Sequence, residues 1–190
     1  MIFLAGPHGA GKTTVAEILA GHNFIYLDLG GVLRKKHQEE NPEISFDMWC
    51  KDNEKLSGPS FTDDVIVREI EKIHCDINKG NVLPRDLVIV GSRSLKGIKY
   101  IIEKIPNFNG CKNFIVYIDA PAEILIRRYC FRESKQLTLD DFRVLLERDI
   151  QIGLPSIVSA ADIRIVNSGS MQALENATYK LIINQLGYTK

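Results

Sequence analysis

Much that would narrow a chain's role at a glance is missing from this one. It carries no net charge, 24 Lys and Arg against 24 Asp and Glu, so the overall balance gives no sign of a polyanionic partner, nucleic acid included. No apolar run approaches the ~20 residues that cross a bilayer. The N-terminus enters a strand-like segment with no basic stretch or cleavage site ahead of it, so the expectation is a cytoplasmic chain with no membrane partner. Cysteine is sparse. Cys50, Cys75, Cys111 and Cys130 form no C-x-x-C pair, which speaks against a disulfide framework or a zinc site and leaves buried, reduced thiols as the expected state. There is no internal repeat and no low-complexity tract. At 190 residues with 45% apolar content, residues 1–190 are expected to fold as one domain with an ordinary core.

What the chain does have stands near its start. Gly6-Pro7-His8-Gly9-Ala10-Gly11-Lys12-Thr13 fits the pattern G-x-x-x-x-G-K-[ST] without a mismatch. A short apolar run, Ile2-Phe3-Leu4-Ala5, precedes it as a buried strand. Thr14 to Ala20 follows with Val15, Ile18 and Leu19 on one helical face. Strand, glycine loop and helix start are the setting in which backbone N–H groups converge on an anion at a helix N-terminus. The loop predicts a triphosphate site built from Gly6, His8, Gly9, Ala10, Gly11, Lys12, Thr13 and Thr14. In it Lys12 reaches the β- and γ-phosphates and the Thr13 hydroxyl holds Mg²⁺. His8 occupies a variable position and is expected to be an exposed loop side chain.

The remaining pattern alternates. Strand-like runs recur at Phe24–Asp28, Leu87–Val90, Asn113–Ile118 and Asp162–Val166, with helical segments between them. Such alternation predicts a three-layer α/β/α arrangement around a five-stranded parallel sheet. Gly30-Gly31 reads as a turn before a helix from Val32. Residues 41–80 read as a helical insertion between the second and third strands. In it Ser45 caps a helix carrying Phe46, Trp49, Asn53 and Leu56, and Ser60 to Asp63 resembles a capping box before a helix that stops near Gly80. Helices from about Pro121 to Arg132 and from Thr138 to Arg148 are expected to form a lid over about 121–150, and a last helix follows Ser170.

Ligands in such sheets sit at the carboxyl ends of strands, and Asp28, Arg93 and Asp119 all fall there beside the loop. No N-K-x-D motif reads guanine, which weakens a GTPase reading. Phosphoryl transfer between two anions needs fixed cations. Arg34, Arg93, Arg127, Arg128, Arg132 and Arg148 stand around the expected crevice. Trp49 reads either as packing between inserted helices or as a stacking platform for an acceptor base, and Asp119 as a helix cap or a crevice residue.

At this point the chain resembles the P-loop nucleotide kinases related to adenylate kinase and dephospho-CoA kinase, nearly end to end. Leu27 to Arg34 is similar to their I-S-x-G-D-x-x-R segment, Val90 to Leu95 to D-G-x-R-S, and Leu145 to Asp149 to the arginine-bearing segment after the lid. Ala161 to Ser170 is similar to A-D-x-x-I-x-N-x-G-[ST], which borders adenine. The resemblance implies a nucleoside monophosphate kinase-like fold using ATP and Mg²⁺ on a small-molecule nucleotide acceptor. Arg34, Arg93, Arg148 and Asp28 then bind the acceptor. Lys12, Arg93, Arg128, Arg132 and Asp28 carry the chemistry, Thr13 and Asp28 hold the metal, and Arg128, Asn167 and Gly169 border the donor. Two positions depart from the family pattern. Gly91 and Gly31 stand where the family has acidic residues, and Asp86 lies at the wrong end of its strand to replace them. Asp28 is the remaining carboxylate. Two alternatives stay open: transfer to a ribose hydroxyl with Asp28 as base, and a nucleotide-holding regulator or assembly factor with weak ATPase activity.

Overall fold

The computed structural model describes residues 1–78, 86–106, 108, 112–133, 138–184 and 187. Its centre is a parallel sheet of β1 (Ile2–Ala5), β2 (Ile25–Asp28), β3 (Leu87–Ser92), β4 (Phe114–Asp119) and β5 (Ile163–Val166), in the order β2-β3-β1-β4-β5. β1 therefore has β3 on one side and β4 on the other. That reversal of strand order opens a crevice beyond its carboxyl end, where the glycine loop leaves.

Strand alternation divides the core in two. Ile2 and Leu4 point to one face with Val88, Val90, Val116 and Ile118. There α1 (Lys12–Ala20), α6 (Ala122–Glu133) and α9 (Met171–Thr178) cover them through Val15, Leu19, Leu125 and Leu174. Phe3 and Ala5 point to the other face with Leu87 and Ile89. There α4 (Phe61–Asn78), α5 (Leu95–Lys104) and α8 (Leu154–Ala160) cover them through Ile66, Ile70, Ile98, Ile101 and Ile157. Each such fully buried aliphatic or aromatic side chain stabilises the fold by about 1.5–3 kcal/mol, so both outer layers are held by transfer of apolar surface out of water. The three-layer, five-stranded parallel expectation holds.

Several local expectations need correction. α2 (Leu29–Glu40) starts before Gly30-Gly31 and contains them, because Asp28 caps it by accepting from Gly30 N–H at 3.1 Å. α3 (Phe46–Ser57) is capped by Ser45 as expected, but Leu56 is 85% exposed rather than packed. Ser60 Oγ donates to Asp64 Oδ2 at 3.1 Å instead of closing a capping box. The stop near Gly80 lies outside the described residues. α7 (Leu139–Ile152) begins with a complete capping box between Thr138 and Asp141, whereas α8 and a π-helical turn over Tyr179–Asn184 have no counterpart in the sequence reading. Trp49 is buried among His37, Phe46 and Phe61, so it packs the insertion. The thiols differ from expectation as well: Cys75 is exposed and Cys50 and Cys130 are half-buried, while Cys111 lies outside the described residues. Among the described residues no helix is long and apolar enough to cross a membrane.

Candidate active site

The glycine loop is shaped by what its glycines exclude. Gly6, Gly9 and Gly11 all have positive φ. A Cβ on Gly6 would lie 2.0 Å from the Ile118 carbonyl oxygen, and one on Gly11 would lie 2.4 Å from Asn167 Nδ2. The loop is thus pressed against β4 and the end of β5, a closeness no side chain allows. Gly11 leads into α1 with no side-chain cap and no acidic residue in the first turn. The first N–H groups of α1 are left to meet an anion. Lys12 Nζ donates to the carbonyls of Gly6 and Pro7, both at 2.8 Å. Burial, then the neighbouring Arg93 charge, brings its pKa down to about 8.

His8 is not the exposed loop side chain expected. It is half-buried, sits edge-on to Tyr129 with ring centroids 5.7 Å apart, and its Nε2 accepts from Arg93 Nη2 at 2.9 Å. Burial, followed by the charges of Arg93, Lys12, Arg132 and Arg148, lowers its pKa to about 3. The ring is therefore neutral near pH 7 and offers a lone pair to the guanidinium. Arg93 Nη1 also lies 3.7 Å from Asp149 Oδ1, a carboxylate only 6% exposed. Burial raises the Asp149 pKa while Arg93, Lys12 and Arg148 pull it down. Arg93 is thus suspended between the phosphate loop and α7. The sequence reading did not single out Asp149, although its place directly after Arg148 was visible.

Asp28 does two things at once. Its Oδ1 caps α2, and its Oδ2 lies 3.5 Å from Arg34 Nη2. Gly30 makes this possible: a Cβ there would sit 3.0 Å from the Arg34 guanidinium. Gly91 has φ +95° and falls at a bulge, since Leu4 pairs with Val90 but Ala5 with Ser92. Only glycine adopts that backbone cheaply, which accounts for the missing acid. Next to it, Ser92 lines the cavity, but its Oγ is buried and has no hydrogen-bond partner among the described residues. Asp86 belongs to the opposite end, where it is fully buried against the Met1 ammonium at 3.1 Å.

On the other side, Arg128 Nη1 and Nη2 donate to the Asn167 carbonyl and Oδ1 at 3.2 and 3.3 Å. Asn167 Nδ2 donates to the Ala10 carbonyl at 2.9 Å. Arg132 lies over the Tyr129 ring, 5.4 Å from its centroid. Arg148 Nη2 donates to Asp47 Oδ1 on α3 at 2.8 Å, which ties α7 to the insertion. Asp119 accepts from its own neighbour Ala120 and from Arg164 at 2.7 Å.

One cavity of about 1440 Å³ is lined by Gly6, His8, Gly9, Gly11, Lys12, Thr13, Thr14, Asp28, Arg34, Arg93, Arg128, Arg132, Arg148 and Asp149. It gathers most of the residues expected from the sequence. Ala10, Asn167, Gly169, Asp119 and Arg127 are not in its walls. Asn167 instead buttresses the loop from behind. Asp28 and the Thr13 hydroxyl are hard oxygen donors in the cavity wall. They suit Mg²⁺, which takes one or two protein oxygens and completes its shell with water and phosphate.

A parallel sheet with this strand order, a glycine loop leading into an uncapped helix, and arginines from four segments around one cavity define a P-loop kinase. The chain belongs to the P-loop nucleotide kinase family. The family described as AAA domain matches residues 2–138, and an adenylate kinase of Prochlorococcus marinus is 32% identical over 142 residues, 71% of this chain and 69% of that one. A UPF0200 protein of Pyrobaculum aerophilum is 27% identical over 187 residues, 96% and 97% of the two chains. In fold the chain is similar to shikimate kinase from Bacteroides thetaiotaomicron, with a TM-score of 0.61 at 11% identity, covering 95% and 97% of the two chains.

Proposed function

We propose that the protein transfers the γ-phosphoryl group of ATP to the phosphate of a nucleoside or deoxynucleoside monophosphate, with Mg²⁺ bound at Thr13 and Asp28. The observation that carries this reading is Arg93, held by His8 of the donor loop on one side and by Asp149 of α7 on the other. A cation shared between two walls is where charge builds when one phosphate attacks another. An acceptor phosphate oxygen forms the new bond to the γ-phosphorus, and the bond to the β–γ bridging oxygen breaks, leaving ADP. Lys12 exchanges its two loop carbonyls for β- and γ-oxygens, and the first N–H groups of α1 hold the β-phosphate. Mg²⁺, when bound, neutralises charge on the β- and γ-oxygens. Arg34 and Arg148 grip the acceptor's phosphate, and Arg128 and Arg132 close from α6. Residues 121–150 act as the lid that keeps water from competing with the acceptor. Residues 41–80 form the acceptor-binding insertion, and the donor's base lies near Asn167 and Gly169.

The test is ADP release from Mg²⁺ and ATP against a panel of nucleoside and deoxynucleoside monophosphates and dephospho-CoA. Strong stimulation by a monophosphate is expected. Stimulation by dephospho-CoA alone would replace this reading with hydroxyl transfer, which the two carboxylates Asp28 and Asp149 in the cavity wall would serve as candidate bases. Tight ATP binding with no acceptor-dependent release would replace it with a nucleotide-holding regulator.

A further inference from the structure

Two adjacent carboxylates open α4 and have opposite fates. Asp64 is fully engaged, accepting from Ser60 Oγ and from the Tyr100 hydroxyl of α5, and it does not line the cavity. Asp63 lines the cavity and, among the described residues, makes no hydrogen bond or ion pair. Its carboxylate lies against α5 at Gly97, where a Cβ would come within 2.9 Å of Oδ1. The helix therefore yields space to this carboxylate. Gly97 lies in the first turn of α5, four residues past Arg93 in the chain. Ile66, Ile98 and Ile101 supply an apolar floor beside it. A half-buried acid that makes no hydrogen bond or ion pair among the described residues, next to a second acid and with only the charge of Lys96 in the same wall to offset it, costs stability, a cost that a ligand's donors would offset.

We propose that Asp63 selects the base of the acceptor nucleotide, and that the base is guanine. This rests on the monophosphate-kinase reading, with the phosphate at Arg93 and the base beside Asp63 at the first turn of α5. An ionised carboxylate only accepts hydrogen bonds. Guanine is the base whose pairing edge sets two donors side by side, N1–H and the N2 amino group, and a carboxylate takes both in a bidentate pair. Adenine and cytosine offer one amino donor beside an acceptor nitrogen. Uracil and thymine place one N–H between two carbonyls. Each of these sets a lone pair against a carboxylate oxygen. A bidentate pair discriminates by about 1–3 kcal/mol, roughly 10- to 100-fold in affinity.

The test is calorimetric titration of the full chain, saturated with a non-hydrolysable ATP analogue and Mg²⁺, with GMP, AMP, CMP and UMP. The wild type should bind GMP about 10- to 100-fold more tightly than the others. Asp63→Asn keeps the shape but replaces one acceptor by a donor. Its preference for GMP should vanish and AMP or CMP, whose edges set one donor beside one acceptor, should gain, with affinity for the ATP analogue unchanged. Asp63→Glu keeps two acceptors and should retain the sign of the preference. Equal affinities for the four nucleotides in the wild type, or a GMP preference that survives Asp63→Asn, would overturn the assignment. Release of ADP is measured separately. GMP bound through Asp63 without turnover would sink the phosphoryl-transfer step and leave the base selection standing. Turnover indifferent to Asp63→Asn, with unchanged base preference, would do the reverse.

Discussion

The two walls of the cavity are built by different means. The donor wall is placed by backbone: three glycines at positive φ, contacts with room only for hydrogen at Gly6 and Gly11, and a buttress from Asn167 to the Ala10 carbonyl. The acceptor wall is placed by side chains in partly exposed ion pairs, Arg34 with Asp28 at 3.5 Å and Arg148 with Asp47 at 2.8 Å. Backbone dipoles fixed by packing do not reorganise when charge arrives, so the donor wall is ready before ATP binds. Long side chains on exposed pairs exchange partners at little cost. On the proposed reading, the acceptor wall can thus change its contacts as an acceptor enters. Arg93 belongs to both, since it touches the donor loop through His8 and α7 through Asp149.

The sharpest way to break this contrast is at Lys12, the mobile cation of the rigid wall. Lys12→Ala should lower turnover by at least 10²- to 10³-fold, in line with loss of a charge-stabilising donor worth about 2.7–4 kcal/mol. Loss below tenfold would mean that the loop does not hold the transferred phosphate. The same residue sets a pH limb. Its ammonium is the form that meets phosphate, and burial with Arg93 brings its pKa in the ligand-free protein to about 8. Below that value the charge is present, and above it the charge is lost. The pH profile of kcat/KM for ATP, which reports the free enzyme, should therefore fall above about pH 8. Bound phosphates restore the ammonium, so kcat should hold to higher pH. A kcat/KM profile flat to roughly pH 10, the ordinary lysine range, would show that Lys12 is not so perturbed.

Next in size is the backbone itself. Gly11→Ala imposes a side chain at φ +95° and 2.4 Å from Asn167 Nδ2. Left-handed backbone costs about 1–2 kcal/mol for an L-residue. Displacing Asn167 from Ala10 leaves a buried amide unpaired at about 1–3 kcal/mol more. Thermal or urea unfolding should register a total loss of about 2–5 kcal/mol. A loss under ~1 kcal/mol would show that the donor wall yields, and that its rigidity was misjudged.

This difference also explains what could be read from the chain. The sheet and phosphate loop were readable because local rules make them: apolar runs for buried strands, glycines for positive φ, a helix start after Gly11. The arginines were readable as a group, Arg93 from its place after a strand and the others from the helices that follow strands. Partnership across the fold was not. Nothing near His8 in the chain says that Arg93, 85 residues away, donates to it, and the neutral state of that histidine follows from burial among cations contributed by α1, α6, α7 and the segment after β3. Asp63 and Asp64 look alike in sequence, and only the approach of Tyr100 and Gly97 on α5 separates a structural acid from one facing the cavity. Gly91 read as a lost carboxylate, whereas the bulge between β1 and β3 requires the glycine for its backbone.

The smallest expected effect tests the looser wall. Arg148 and Asp47 are each more than half exposed, so Asp47→Ala should change stability by less than ~1 kcal/mol, a change reduced further by salt. Its kinetic effect is the informative one. If Arg148 must leave Asp47 to grip an acceptor phosphate, removing Asp47 removes a competitor, and the acceptor KM should fall by roughly two- to fivefold with kcat nearly constant, the scale of a surface pair worth up to ~1 kcal/mol. Arg148→Ala should move KM the other way. A rise in acceptor KM for Asp47→Ala would mean that the pair survives in the bound state and that Asp47 orients Arg148 toward the acceptor instead of holding it away. The acceptor wall would then be as fixed as the donor wall, and the contrast between them would rest on the glycines alone.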